Sequence, residues 1–254
     1  MQITAKTWNE YITRLSRLNQ KAGQLMRQYI DTHGTGDTDA LITYAAALVT
    51  KYGEGSAELA CQMYDALAEA ANAGVPAAEP AEPADYSEVA RMVNATKNQN
   101  PANLPNGVSR LVKRAGADTT LKNAVRDGAE WAWVPHGDTC PFCITLASNG
   151  WQKASSKVLK GGHAEHIHAN CDCEFAIRFD HNTTVAGYDP EKYLKQYRDA
   201  GGDINKMRRV NYADNKERIN AQNRAAYAAR RVRDQENRGL LEDIMGGYMT
   251  VTET

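Results

Sequence analysis

The chain has 254 residues, of which 42% are apolar and only three are Phe, and its formal net charge is −1. That apolar content allows only a thin core per residue, so extended helical parts are expected rather than one compact globule. No apolar run approaches the ~20 residues that a membrane-spanning helix needs, and residues 1–8 lack the apolar core of a secretory signal. Five cysteines without an export signal argue against a disulfide framework.

The charges are distributed unevenly along the chain. Residues 1–30 carry five basic side chains and one acidic one, and residues 31–88 carry eleven acidic side chains and one basic one. Residues 204–238 carry ten Lys and Arg against four acidic residues. This order suits pairing within the chain, docking between copies or contact with a polyanion, and solvated helix faces explain it equally well.

The N-terminal region has the periodicity of a helical array. Apolar residues recur at spacings of three and four, which predicts helices over residues 4–30, 37–52 and 56–72. Asp37 and Ser56 can cap the second and third of these helices, and a Gly-Glu-Gly turn separates them. The short loops favour an antiparallel arrangement.

A run rich in Pro, Ala and Glu at residues 75–85 is the clearest break in the chain. Such a run is not helical, and it predicts an extended, semi-rigid connector. Beyond it we predict a helix over 86–98, a loop over 100–107 and helical structure over 109–126, with a break near Gly116.

In the middle of the chain the spacing of the apolar side chains changes from a helical to a strand-like period. Alternating side chains predict strands over 130–135 and 174–179, with a short helix over 144–148 and a return strand over 151–153 between them. These elements together predict a small α+β module over residues 130–180.

The C-terminal region is polar and basic. We predict a short helix over 190–200, a Gly-Gly stop, and a cap at Asp203. A long polar helix over 211–237 and an extended tail over 246–254 should follow.

Four of the five cysteines lie within this α+β module, as Cys140-Pro-Phe-Cys143 and, after a loop, His168-Ala-Asn-Cys171-Asp-Cys173. Thiolate and imidazole are the ligands that Zn²⁺ prefers, and paired ligands at this spacing are typical of a structural zinc site. The most economical set is Cys140, Cys143, His168 and Cys171. Cys173 competes, because in a strand Cys171 and Cys173 point the same way and both could bind while His168 stays outside the set.

The remaining loop histidines, His163 and His166, are less favoured donors. A closed set of four ligands leaves no position for water, which favours a structural over a catalytic zinc. Glu165 could serve as a general base only if three ligands were used. Two alternatives remain: a zinc-stapled endonuclease, in which His163, His166 or His168 activates water near a second cation, and a zinc-bearing nucleic-acid-binding regulator.

The motif Trp133-Val-Pro-x-Gly-x-x-Thr-Cys-x-Phe-Cys-x-x-Leu-Ala-Ser-x-Gly150, followed by Gly161-Gly-x(5)-His168-x-x-Cys171-Asp-Cys173, resembles the Cys/His module of tailed-phage minor capsid proteins. The likeness is greatest to the minor capsid proteins of phages that infect Gram-positive, particularly actinobacterial, hosts. The cysteine elements are also similar to the end of the phage Mu-type head morphogenesis family. The resemblance covers about residues 130–178.

The resemblance implies a virion structural protein of the phage head, present in few copies near the portal or inner capsid and found in the host cytoplasm during assembly. It implies the portal protein, the major capsid protein or copies of the chain itself as partners, and no membrane. The basic helix within 204–238 is a candidate contact for packaged DNA. By position, the motif is matched at five residues: Cys140, Cys143, His168, Cys171 and Cys173.

The expected fold class is therefore mainly α with a small zinc-stapled α+β module, in an elongated helical architecture. The roughly 75 residues after the module are too few for an appended enzyme domain with its own core, so no enzyme activity is expected. The regions are 1–74 (N-terminal helical), 75–85 (linker), 86–129 (helical segment), 130–180 (zinc-binding α+β module) and 181–254 (polar, basic C-terminal helical region and tail).

Overall fold

The structure is a computed structural model that describes residues 2–136, 139–157 and 173–210, and several positions between 212 and 228. By internal contacts the chain divides into two units, Met1–Asp199 and Ala200–Thr254. Among the described residues, no helix is both long enough and apolar enough to cross a membrane.

The described part of the first unit combines long helices with short strands. Its helices are α1 (Ala5–His33), α2 (Thr38–Ala70), α3 (Tyr86–Gln99), α4 (Leu104–Asp127), α5 (Pro141–Ala147) and α6 (Pro190–Asp199), with a 3₁₀ turn at Pro101–Asn103. Its strands are β1 (Gln2–Ile3), β2 (Glu130–Val134), β3 (Gln152–Lys153), β4 (Glu174–Arg178) and β5 (Thr184–Val185). The prediction of a mainly helical chain with small sheets is confirmed.

The two small sheets have different topologies. β1 pairs in parallel with β5, while β2 lies between β3 and β4 in an antiparallel sheet. In the β2–β4 ladder Trp133 faces Phe175 and Val134 faces Glu174. The two longer strands were predicted from their alternating side chains, and α5 begins at Pro141, three residues earlier than predicted.

Capped, amphipathic helices build the helical layer. The Thr4 side chain accepts a hydrogen bond from the Thr7 backbone N–H at the start of α1, and Asp37 does the same for Ala40 at the start of α2. These side chains satisfy N–H groups that have no partner inside the helix. The buried face of α1 includes Trp8, Tyr11, Ile12, Leu15, Ala22 and Met26.

The second helix is continuous, which corrects the predicted turn at Gly53 to Gly55. The glycines allow close packing instead of ending the helix. A Cβ at Gly53 would lie 2.9 Å from the Cβ of Pro83, so only glycine fits this contact without a shift. Helix α2 thus runs through both predicted helices and packs along α4.

Helix α4 is also longer and less interrupted than predicted. It begins at Leu104, inside the predicted loop, because Pro105 lies in the first turn, where no backbone N–H is required. It does not break at Gly116, where a Cβ would lie 2.6 Å from the Ser56 hydroxyl oxygen. A close crossing of α2 and α4 therefore explains this glycine.

The segment 75–85 forms neither helix nor strand, and it is bound along the helices. The backbone N–H of Ala78 donates to Asp65 at 2.7 Å, and that of Ala81 donates to the Thr119 hydroxyl at 2.9 Å. Asn123 accepts from the Glu79 N–H and donates to the Glu79 carbonyl. The segment does not divide the structure, since both of its ends belong to the unit Met1–Asp199.

The C-terminal boundary also differs from the predicted 181–254 region, because β5 and α6 belong to the first unit. In the second unit, residues 204–210 are helical, and the Asp203 carboxylate accepts from the backbone N–H groups of Asn205 and Lys206, as a cap should. Most of the predicted helix over 211–237, and the whole tail over 246–254, lie outside the described residues.

Acid should remove a stabilising contact at the end of α4. Arg126 and the Tyr64 hydroxyl donate to Asp127 at 2.7 Å each, and these hydrogen bonds, that of Arg126 above all, hold the pKa of Asp127 below its usual range. Stabilisation from a lowered pKa is present above the unfolded-state value of about 4 and is lost as the pH falls towards the folded-state value.

We therefore expect the difference in unfolding free energy between the wild type and Asp127→Asn to narrow as the pH is lowered from about 6 to about 3. Urea unfolding at a series of pH values measures this difference. A difference that stays constant with pH would contradict the assignment.

Candidate metal centre

The first cysteine pair lies at the start of α5. Cys140 is the N-cap residue with extended backbone angles, and Pro141 occupies the first helical position, for which its ring is suited. Cys143 follows within the first helical turn, so both side chains are held by the same turn. Their sulfur atoms are 3.6 Å apart.

This separation distinguishes between two kinds of cysteine pair. A disulfide requires an S–S distance of about 2.05 Å, so Cys140 and Cys143 are not joined by one. Two thiolates bound to one tetrahedral zinc at about 2.3 Å lie about 3.8 Å from each other. The observed 3.6 Å is close to the second separation, and it is also the distance of a hydrogen bond between two thiols.

The pair is only partly accessible. Cys143 is 1% exposed and Cys140 is half-buried against the same apolar cluster, which also contains Cys173, Trp133 and Phe175. The Trp133 and Phe175 rings meet edge to face with their centroids 4.7 Å apart. The two cysteines therefore belong to the same apolar cluster as this aromatic pair.

Cys173 immediately precedes β4 and is fully buried. Burial raises the pKa of Tyr193 on α6, and the nearby Cys173 adds to that shift. Helix α6 also packs on α5, and the Tyr188 hydroxyl just before it donates to the Ala147 carbonyl of α5 at 3.0 Å. Cys173 thus lies on the α6 side of the module.

The structure brings Cys140 and Cys143 together, but it does not show a complete site. Across the described residues, no three His, Cys, Asp or Glu side chains form a cluster that could hold a metal ion. His168 and Cys171, like His163 and His166, lie outside the described residues. The five-residue ligand set stays a prediction.

One charged pair beside the cysteines was not predicted. The Lys113 ammonium lies 3.2 Å from a Glu174 carboxylate oxygen and donates to the Cys173 carbonyl at 2.9 Å. Both side chains are at most 5% exposed. In the structure Ser109 and Ala117, four residues to either side of Lys113, are both buried and place Lys113 on the inner face of α4.

Comparison with known proteins gives the chain a family. A family model described as VG15 protein matches residues 2–200, a range that nearly coincides with the compact unit Met1–Asp199. No curated protein and no solved structure matches the chain significantly. The match covers the helical layer and the cysteine-bearing segment, and it confirms the predicted phage affiliation. This chain therefore belongs to the VG15 protein family, a phage-associated family.

Proposed function

We propose that this phage protein is a minor capsid protein that acts in head assembly, with a structural zinc site, in association with the portal or the inner capsid. The observation that carries the proposal is the Cys140–Cys143 sulfur pair at 3.6 Å. The pair lies inside the motif that resembles the Cys/His module of minor capsid proteins. Membership of a phage-associated family supplies the biological setting.

The ligand set favours a structural role for the metal. Cys140 and Cys143 would supply two sulfurs, and His168 with Cys171 or Cys173 would complete a closed tetrahedron that has no position for water. Bound zinc would tie α5 to the chain that leads into β4, and structural zinc contributes on the order of ten kcal/mol in small modules. The protein would accordingly act through its surfaces, not as an enzyme.

Charged helix faces supply candidate docking surfaces. The outer side of α1 presents five exposed cations and α2 presents exposed acids, while Arg208 and Arg209 are exposed in the second unit. Opposite charges steer association and set its register. Portal, capsid or neighbouring copies would meet the first unit, and packaged DNA would meet the basic C-terminal helix. The α1 cations are Lys6, Arg14, Arg17, Lys21 and Arg27, and the exposed α2 acids include Glu54, Glu58 and Glu69.

Purified protein is expected to contain about one zinc per chain, because four ligands of this type hold one ion. Inductively coupled plasma mass spectrometry measures the zinc, and Cys143→Ser should lose it. Cys61→Ser is the matched control, because Cys61 is a buried cysteine of α2 outside the motif, and it should retain zinc. Wild-type protein that carries no zinc and takes none up would contradict the metal site.

The virion assignment has a separate test. Quantitative mass spectrometry of purified phage particles should find the protein at few copies relative to the major capsid protein. Deletion of its gene should yield defective heads, which the wild-type gene rescues. Normal, infectious particles without the protein would refute the assembly role.

The two alternatives predict different results. Plasmid cleavage with Mg²⁺ or Mn²⁺ that His163→Ala or His168→Ala abolishes, with zinc retained, would replace the proposal by the endonuclease. Salt-sensitive duplex binding with a clear sequence preference would replace it by the regulator. A structural protein should bind DNA weakly and without sequence preference.

A further inference from the structure

The buried pair of Lys113 and Glu174 joins the centre of α4 to the first residue of β4. Lys113 has two acceptors there, a carboxylate oxygen of Glu174 at 3.2 Å and the backbone carbonyl of Cys173 at 2.9 Å. Lys113 therefore contacts two consecutive residues, Cys173 and Glu174, at the N-terminal end of β4, which we call the β4 entrance. The contact links positions that are 60 residues apart in the chain.

Stability alone is a poor explanation for this pair. Removing two charges from water is costly, and well-packed apolar residues often replace a buried ion pair without loss of stability. The best-attested use of such a pair is to select one arrangement among several. Two further polar groups are close: the Tyr11 hydroxyl interacts with Thr120, and its pKa is raised by burial and by the charge of Glu174.

The arrangement selected here is the register of β4. The strand pairs with β2 over five residues, with Val134 opposite Glu174. A slip of one residue would turn every side chain of β4 to the other face. Such a slip would move the Glu174 carboxylate away from Lys113, so the ion pair distinguishes the observed register from its neighbours.

The same register sets where Cys173, the last cysteine of the motif, lies, because Cys173 directly precedes Glu174. We propose that Lys113 is a positioning residue for the zinc site, which sets the β4 entrance and thereby places Cys173 relative to Cys140 and Cys143. This inference rests on the proposed zinc site and adds to it a residue outside the cysteine motif.

The test removes both charges together, because Lys113→Met alone would leave Glu174 buried without its partner. The Lys113→Met/Glu174→Leu variant should fold, with circular dichroism and thermal unfolding close to those of the wild type. Its zinc affinity, measured by competition with a chromophoric chelator, should fall roughly 10- to 100-fold, as is usual when a group that orients a ligand is lost. The absorption bands of the Co²⁺-loaded variant should also shift, since they report the coordination geometry.

The matched control is the neighbouring ion pair on the same helix. Arg114 donates to both carboxylate oxygens of Glu88 on α3, so Arg114→Met/Glu88→Leu removes a less buried ion pair from the same helix and leaves the β4 entrance unchanged. Its zinc affinity and Co²⁺ spectrum should equal those of the wild type. A double variant at Lys113 and Glu174 that is folded and also matches the wild type in both measurements would overturn the inference.

Two further outcomes keep the test decisive. If the Lys113→Met/Glu174→Leu variant does not fold, Glu174→Gln is measured instead, since it removes the carboxylate charge and keeps the carbonyl contact of Cys173. A wild-type affinity in Glu174→Gln would count against the inference, and a weaker one with a shifted Co²⁺ spectrum would support it. Wild-type protein that binds neither Zn²⁺ nor Co²⁺ would instead refute the metal site itself, and the inference with it.

Discussion

Replacing Cys140 with serine is expected to unfold the module over residues 130–180. The proposed zinc supplies free energy on the order of ten kcal/mol, which the module would lose together with a ligand. The β2 and β4 side chains share one apolar cluster with α1 and α2, through residues such as Leu15 and Tyr64. Loss of the metal should therefore also lower the melting temperature of the helical layer.

Limited proteolysis with mass mapping measures the effect, and a chelator should reproduce it in the wild type. Cys61→Ser separates loss of a ligand from loss of a buried thiol. It places a hydroxyl at a buried position and should cost only about 1–3 kcal/mol, with no chelator dependence beyond that of the wild type. Unchanged protease resistance of 130–180 in Cys140→Ser would contradict the role of this cysteine.

Two helical glycines should respond to alanine with opposite signs. At Gly116 a Cβ would lie 2.6 Å from the Ser56 hydroxyl oxygen and 3.1 Å from the Ser56 carbonyl oxygen. Overpacking of this kind costs about 1–3 kcal/mol, which exceeds the gain of about 1 kcal/mol in helix propensity. Gly116→Ala should therefore destabilise the protein, because α2 and α4 must move apart.

At Gly55 the nearest atom to a Cβ is a terminal methyl carbon of Leu18 at 3.4 Å, an ordinary contact. Gly55→Ala should keep the propensity gain and raise the melting temperature. Chemical denaturation of both variants measures the sign of each change in the free energy of unfolding. If both substitutions stabilise the protein, the close crossing of α2 and α4 at Gly116 is not a real constraint.

Local signals were sufficient for much of the fold. The spacing of Trp8, Tyr11, Ile12 and Leu15 predicts α1, and Asp37 predicts where α2 begins. Ser56, also predicted as a cap, lies inside α2. Glycine gives a wrong prediction where it makes room for a neighbouring element: Gly53 predicts a turn, although it lies in a helix and meets Pro83 from a segment 30 residues away. Sequence periodicity does not reveal such long-range contacts.

At the candidate site, too, the sequence predicts local contacts but not long-range ones. Cysteine spacing predicts that Cys140 and Cys143 lie together, because two positions within one turn are close whatever surrounds them. The contact between Lys113 and Glu174 depends on which helix covers which strand, and one sequence does not contain that information. The predicted start of α5 at residue 144 is three residues late, because the helix already begins at Pro141, inside the Cys-x-x-Cys element.

The attachment of the segment 75–85 to the helices has a thermodynamic consequence for assembly. A connector without contacts to the helices would let the helices before and after it move relative to each other, and a partner would have to restrict that motion when it binds. In this protein the segment 75–85 is already hydrogen-bonded to Asp65, Thr119 and Asn123. The conformational entropy of the segment is therefore lost during folding and not on binding. Pre-organisation of this kind leaves more of the contact energy available for affinity. We expect the proposed docking surfaces on α1 and α2 to have the same conformation before and after a partner binds.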